Sequence, residues 1–499
     1  MRYDVVITGG GLGGLQCGFI LAKKGMNVCV LEKNSRTGGC MQTFRRDGHL
    51  FDTGFHYVGG LDEGQPLHRL FSYFGLTDLP WKRLDENGFD EIILNGESFM
   101  YVNGYERFAE YLSERFPQQR ENLKRYVALL KSVSDNIFDA FNASDKAVFY
   151  EKSLFARSAY EYLRSEITDP LLRNVLSGAS LKMELNPSTL PLYPFAQINS
   201  AFIQSAWRLR GGGSQITDSL ADSIKRMGGT VRTNAEVTSI IEENRKIAAV
   251  EINNSERIEA DFFIADIHPS AVLSLIKESE VIRNVFRKRI DNLENTFGFF
   301  TVQLALPNDT VPYINRNIFI FENADDVWNY ADYSPEKPNT CAMVATNLSP
   351  VNSIVKGENN ATEYASTIDI LTPMYKQEVE QWKDTTVGHR GADYEAYKAC
   401  KAEALINLAA SHGELREALR SYKSLYTSTI LTYRDYTGTP DGSAYGIRKN
   451  YNSLLTTVLS PRTPEPNLFL TGQNLNIHGV LGVSMTSFLT CAEIVGKIF

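Results

Sequence analysis

Gly9, Gly11 and Gly14 stand in a G-x-G-x-x-G spacing, and one carboxylate, Glu32, follows 23 positions after the first of them. Such a pattern can hold a dinucleotide. The first glycine permits a tight turn, the second lets backbone approach a pyrophosphate, and the third lets a helix pack closely on a strand. An acid at that distance accepts hydrogen bonds from a ribose diol. Other chemistries find little support. No Ser-His-Asp order, paired-carboxylate motif or C-x-x-C pair is present, and the six cysteines (17, 29, 40, 341, 400 and 491) lack metal-ligand spacing. No metal site is expected. With seven histidines in the chain, the search for proton carriers is short.

The elements that must position these groups can be read around them. Residues 4–8 are a short apolar, largely β-branched run, which predicts a buried strand. A helical pattern runs over 15–24, with Leu15, Phe19 and Ala22 on one face and Gly25 as its stop. Residues 28–31 predict a second strand that ends on Glu32. Strand, glycine motif, helix, strand and terminal acid together make a dinucleotide-binding unit. A Gly-rich turn alone would not need the other four. The helix N-terminus, at Leu12 and Gly13, offers N–H groups and partial positive charge to phosphates.

The sequel distinguishes the cofactor. Gly38, Gly39, Cys40 and Thr43 come at once, followed by Asp52, Thr53, Gly54, Phe55, His56 and Tyr57. This run resembles the flavin-binding N-terminus of the amine oxidase and phytoene desaturase superfamily. More particularly, it is similar to retinol saturase, the carotenoid isomerases and bacterial-type carotenoid desaturases. The resemblance covers essentially the whole chain, strongly at both ends and over 208–266, thinly over 140–200 and 350–420. It implies FAD as cofactor, held by the glycines already named with Glu32, Lys33, Gly38, Gly39, Thr43, Gly54 and His56. It further implies backbone around Val237 at the adenine end. Gly472, Gln473 and a late helix led by Leu481, Gly482 and Val483 would lie by the flavin pyrimidine, where helix N–H groups stabilise negative charge. Relatives commonly carry an acid where this chain has Gln473. His56 and Tyr445 are the expected catalytic groups, either as proton carriers or as pocket wall, and His478 is a further candidate.

The implied fold is α/β. It comprises an FAD-binding Rossmann-like domain with a parallel sheet in three layers, and an interleaved α+β substrate domain built on an antiparallel sheet plus a helical insertion. Boundaries are expected at 1–75, 205–280 and 455–499 for the FAD domain, and at 76–204 and 281–454 for the substrate domain with its helical lid. Within these, residues 88–102 predict a hairpin turning at Asn95 and Gly96. Residues 104–116 and 118–138 predict two helices. Residues 247–252, 257–260 and 262–265 predict strands after a helix over 215–227. Further strands are expected over 297–306, 318–322 and 340–347. Helices are expected over 361–381 and 394–412, a substrate-side loop over 431–442, and a strand over 467–471. The aromatic run 141–160, with Phe141, Phe149, Tyr150, Phe155 and Tyr160, reads as tunnel lining, membrane-touching surface or buried connection.

A hydrophobic content of 43 % with 22 % charged residues is that of a soluble globular protein. The net charge of −8 argues against nucleic acid as a partner and against docking on anionic lipid. The cysteines fit free thiols in a reducing compartment. The first strand begins too early for a signal peptide, so a cytoplasmic protein is expected, with peripheral membrane contact left open. Residues 480–499 are apolar but contain Glu493 and Lys497, and so predict a buried helix and not a membrane span.

The expected activity is FAD-dependent saturation, desaturation or isomerisation of a long apolar polyene or isoprenoid, carotenoid-like or retinoid-like. A flavin amine or porphyrinogen oxidase is the alternative enzyme, and a prenyl-lipid carrier on the same fold is the non-enzymatic one. No second dinucleotide motif is visible for NAD(P)H. The electron donor or acceptor therefore meets the flavin directly or comes from an unknown partner.

Overall fold

The computed structural model describes residues 2–142, 152–328, 340–349, 354–355 and 362–498. Arg2–Thr8 (β1) leads into helix Leu12–Lys23 (α1) and strand Val28–Leu31 (β2). A first excursion then carries the hairpin Asp90–Leu94 (β3) and Glu97–Tyr101 (β4), turning at Asn95 (φ 52°) and Gly96 (φ 80°), and the buried helix Leu192–Gln204 (α2). The chain returns with Ser214–Arg226 (α3), Thr230–Arg232 (β5), Val237–Glu243 (β6), Lys246–Ile252 (β7) and Glu256–Ala265 (β8). A second excursion supplies Gly298–Ala305 (β9), Asn317–Phe321 (β10), Cys341–Leu348 (β11), Ala365–Met374 (β12) and Ser424–Ser428 (β13). Helix Ile430–Thr437 (α4), strand Leu468–Leu470 (β14) and helix Gly479–Val495 (α5) complete it.

Two seven-stranded sheets result. The first runs β5-β2-β1-β8-β7-β6, with β14 also on β8. Its β5, β2, β1, β8 and β14 are mutually parallel, while β7 and β6 return antiparallel. Buried Val, Ile and Leu fill β1 and β2, as a parallel strand covered on both faces requires. α1 is clasped between α3 and α5; Gln16 Nε2 donates to Ser484 Oγ at 2.7 Å across the α5 contact. The second sheet, β13-β9-β12-β11-β10-β3-β4, is antiparallel except where β10 runs parallel to β3. Both excursions therefore contribute to one sheet, which closes the site from the far side.

Several expectations are corrected. Of the helix expected over 361–381, only Lys376–Trp382 is helical, as a short 3-10 turn, and Ala365–Met374 is instead strand β12, central between β9 and β11. Its Thr367, Ile368, Ile370 and Thr372 are β-branched and buried, and pairing on both edges outweighs the helical spacing of its apolar residues. The two strands expected over 257–265 are one, because Asp261 turns to solvent without interrupting the ladder. The loop expected over 431–442 begins as a helix, α4, whose N-cap Thr429 accepts from Leu431 N–H and whose end is Gly438 at φ 73°. Phe149 and Tyr150 lie outside the described residues. Phe155 stacks on Tyr193, and Tyr160 meets Trp328 edge-on. The apolar C-terminal stretch packs as α5 against α1, and among the described residues no helix is long and apolar enough to cross a membrane.

Candidate active site

Between the sheets lies a cavity of about 370 Å³ that touches the glycine loop at one end and an apolar wall at the other. The glycine end is shaped by backbone. Gly9 takes φ 102° and donates its N–H to Leu31 O at 2.8 Å, which turns the chain off β1 into α1. A Cβ on Gly14 would stand 2.1 Å from Gly9 O, so only glycine lets the helix start this close. Gly11, Leu12 and Gly13 line the cavity, and no side chain caps α1. Gly38 N–H donates to Gly10 O at 2.7 Å, which brings the second glycine pair, Gly38 and Gly39, onto the same cavity. Glu32 is buried and faces this loop. Its carboxylate accepts from Gly10 N–H at 3.0 Å and from Asn34 N–H at 2.8 Å.

The C-terminal pieces converge here as well. Gly472, Gln473 and the first turn of α5, including Leu481, Gly482 and Val483, line the cavity, and α5 too begins without a side-chain cap. Gly54 and His56 form part of its wall. Of the expected residues, Gly9, Gly14, Glu32, Lys33, Thr43 and Val237 lie off the cavity's lining. Thr43 pairs its hydroxyl with Ser214 at 3.0 Å, at the start of α3. Lys33 reaches Asp435 O at 3.5 Å. Val237 opens β6, two residues after Ala235 N–H is tied to Glu32 O at 2.8 Å. Tyr445 does line the cavity, but its hydroxyl donates to Leu181 O and its ring stacks on His478 at 4.2 Å.

Asp266 was not foreseen. It follows β8 directly and accepts from Gly14 N–H at 2.7 Å. Burial, with Glu32 close by, pushes its carboxyl up to about 7. The signal was there: an acid at the carboxyl end of a strand parallel to β1 falls where ligands of open α/β sheets bind.

His56 stands in the cavity wall with 11 % of its side chain exposed. Neither ring nitrogen has a hydrogen-bond partner, and Nδ1 stands 3.6 Å from Asp369 Oδ2 on β12. Burial, and then the Arg208 guanidinium, push its pKa down to about 4, so the ring is neutral at pH 7. Asp369 is pushed up by burial to about 6. Asp52, which accepts from Gly213 N–H at 2.7 Å, is pushed up to about 8 by burial. Behind His56 a second cavity of about 20 Å³, of one-water size, is lined by Asp52, His56 and Arg208. Further along the main wall stand Lys182 and Gln197, which no motif announced.

The residues present fit FAD: a glycine cradle that any Cβ would fill, a buried acid facing it, and two uncapped helix N-termini on one cavity. Comparison with known proteins agrees. The family model for flavin containing amine oxidoreductase matches residues 12–298. All-trans-retinol 13,14-reductase of Danio rerio is 25 % identical, covering 99 % of this chain and 86 % of that one. 4,4'-diapophytoene desaturase (4,4'-diapolycopene-forming) of Methylomonas sp is 22 % identical, over 65 % of this chain and 68 % of that one. Among solved structures, putrescine oxidase bound to putrescine superposes with a TM-score of 0.62 at 16 % identity, covering 100 % of each chain. With more than half its length matched, this chain is an FAD-dependent oxidoreductase and belongs to the flavin containing amine oxidoreductase family.

Proposed function

We propose that this enzyme acts on a carbon–carbon bond of a long apolar polyene or isoprenoid, saturating, desaturating or isomerising it. The observation that carries this reading is the wall beyond the glycine end, built of Ile198, Ala201, Phe202, Phe299, Met343 and Leu371. Such a slot desolvates an unsaturated chain. The relatives named for all-trans-retinol and for 4,4'-diapophytoene support the same substrate class.

We assign residues 1–75, 205–280 and 455–499 to the FAD domain and 76–204 and 281–454 to the substrate domain. Gly9, Gly11, Leu12, Gly13 and Gly14 would hold the diphosphate and Glu32 a ribose. Lys33, Gly38, Gly39, Thr43, Gly54 and Val237 would complete the dinucleotide end. Gly472, Gln473, Leu481, Gly482 and Val483 would face the flavin ring. When bound, FAD supplies the hydride acceptor or donor.

A proton must move at the carbon next to the one that exchanges hydride. His56 is assigned that proton. Its neutral ring accepts one at a ring nitrogen as the C–H bond breaks, and Asp369 at 3.6 Å stabilises the imidazolium that forms. In the saturating direction Asp52, protonated at pH 7, is the proton reserve behind the ring. Tyr445, its hydroxyl committed to Leu181 O, serves as wall.

An amine oxidase reading fits less well: the charged side chain on the main wall that lies beside the aromatic rings is the cation Lys182, which repels an ammonium. The carrier reading gives way to the oxidoreductase family. The test is anaerobic incubation of the flavin-loaded protein with all-trans-retinol under dithionite, and with phytoene in the oxidised state, followed by chromatography. A polyene of changed unsaturation is expected. Unchanged polyenes beside amine-dependent oxygen consumption would overturn the assignment.

A further inference from the structure

A buried charge is costly unless an opposite charge meets it, and Arg208 meets none directly. It lies on the short strand Ala206–Leu209 and is 5 % exposed. Its Nε donates to His56 O at 3.4 Å, and its Nη1 to Thr346 O at 2.5 Å and Tyr313 OH at 3.1 Å. Its Nη2 donates to Asn317 Oδ1. All four acceptors are neutral, and among the described residues no carboxylate stands at ion-pair distance from the guanidinium. Asp90, one step beyond Asn317, is already engaged by Asn317 Nδ2, Tyr57 OH and the Lys182 ammonium.

Two carboxyls share the pocket without touching this cation. Asp52 lines the second cavity beside Arg208 and is held by Gly213 N–H at 2.7 Å. Asp369 accepts from Asn347 Nδ2 at 2.8 Å and faces His56 Nδ1 at 3.6 Å. Burial raises both, to about 8 and about 6, and the Arg208 charge draws each back down. At pH 7 Asp369 is therefore the anion and Asp52 the acid. The other charged groups on the second cavity, Lys82 and Arg210, are both bound to Glu363. Tyr313 also lines it. On the main-cavity side stand Tyr57, Tyr433 and Cys40, all pushed up by burial and uncharged at pH 7. Arg208 is thus the fixed charge against which the His56–Asp369 pair is set.

We propose that Arg208 is the positioning residue of the His56 site: its guanidinium anchors the His56 backbone, and its charge keeps Asp369 anionic and the ring neutral. This rests on the assignment of His56 above and deepens it. The sign follows from electrostatics. Removing a positive charge lets both the ring and the carboxyl hold their protons to higher pH. The ring would then lose its power to accept a proton, and Asp369 its power to stabilise the imidazolium.

The test is histidine NMR of the FAD-loaded protein carrying 13C-labelled histidine, with His56→Phe identifying the His56 signal among seven. The wild-type ring should titrate near 4. Arg208→Met should raise that midpoint by about one pH unit or more. Arg208→Lys, which keeps the charge, should hold it within about half a unit, and carries the test if the methionine variant does not fold. With phytoene as substrate, Arg208→Met should move the acid limb of kcat upward in the same sense. In a His56→Phe background the same change should cost less than about twofold in kcat, because the group it acts through is gone. A midpoint unmoved by Arg208→Met, one moved by Arg208→Lys, or a kcat penalty undiminished in the His56→Phe background would overturn the proposal and leave Arg208 a structural tie. A His56→Phe enzyme that turns over phytoene at the wild-type rate would instead overturn the assignment of His56, whatever the NMR midpoints show.

Discussion

Two carboxylates face the glycine cradle, and they should behave differently. Glu32 is fixed by two backbone N–H donors, so its removal costs both the loop geometry and the proposed ribose bonds. Glu32→Ala should lower FAD affinity by about tenfold or more, read from the flavin absorbance retained after gel filtration. Asp266 is the pH-sensitive one. Its carboxyl, raised to about 7 by burial and Glu32, is neutral in mild acid and becomes an anion beside the diphosphate above that pH. FAD should therefore be held more weakly at pH 8.5 than at pH 6, and Asp266→Asn should flatten the dependence. Flavin retention that is unchanged between the two pH values in the wild type would count against it. His56→Phe should keep FAD and lower the turnover of a polyene by about 10²-fold or more, the scale of a lost proton carrier.

At the scale of elements, the start of α1 is the least tolerant point. Gly14→Ala would press a methyl onto Gly9 O, where the ideal Cβ stands 2.1 Å away, and α1 cannot retreat because α3 and α5 hold its other sides. The expected outcome is loss of bound FAD with a melting temperature lower by several degrees, measured by differential scanning fluorimetry. The same element was the most legible in sequence, since glycine spacing, helical periodicity and a terminal acid report local geometry directly. β12 was the opposite case. Its pattern carried a helical spacing, and only pairing with β9 and β11 made it a strand, so Asp369 could not be connected with His56 beforehand. α4 was hidden for a related reason: its polar run 432–437 shows little apolar face, and its cap at Thr429 lies just outside the stretch read as a loop.

For the whole molecule, the buried acids set a pH signature in the absence of cofactor. Asp52 titrates near 8 and Asp266 near 7 in the fold, whereas each ionises near 4 once unfolded. Between those values the folded chain keeps protons that the unfolded chain has lost, so stability rises as pH falls from 8.5 toward 6.5. His56 and His478, both pushed down to about 4 by burial, act in the other direction below about 6.5, and Lys449, pushed down to about 7 by burial, takes back part of the acids' effect above that pH. The apoprotein should accordingly melt higher at pH 6.5 than at pH 8.5, with Asp52→Asn removing part of the difference; a melting temperature that climbs toward pH 8.5 would contradict this.

The sequence by itself determined the dinucleotide unit, because that is written in the short-range spacing of glycines, an acid and apolar residues; the flavin was implied by the family that its sequel resembles. It also marked His56, since the histidine sits inside the glycine-acid run. Only the tertiary structure decided what stands opposite. Asp266 against Gly14, Asp369 against His56, and Lys182 and Gln197 on one apolar wall come from segments separated by long stretches of chain. Their meeting follows from sheet order and helix packing, which no local pattern encodes.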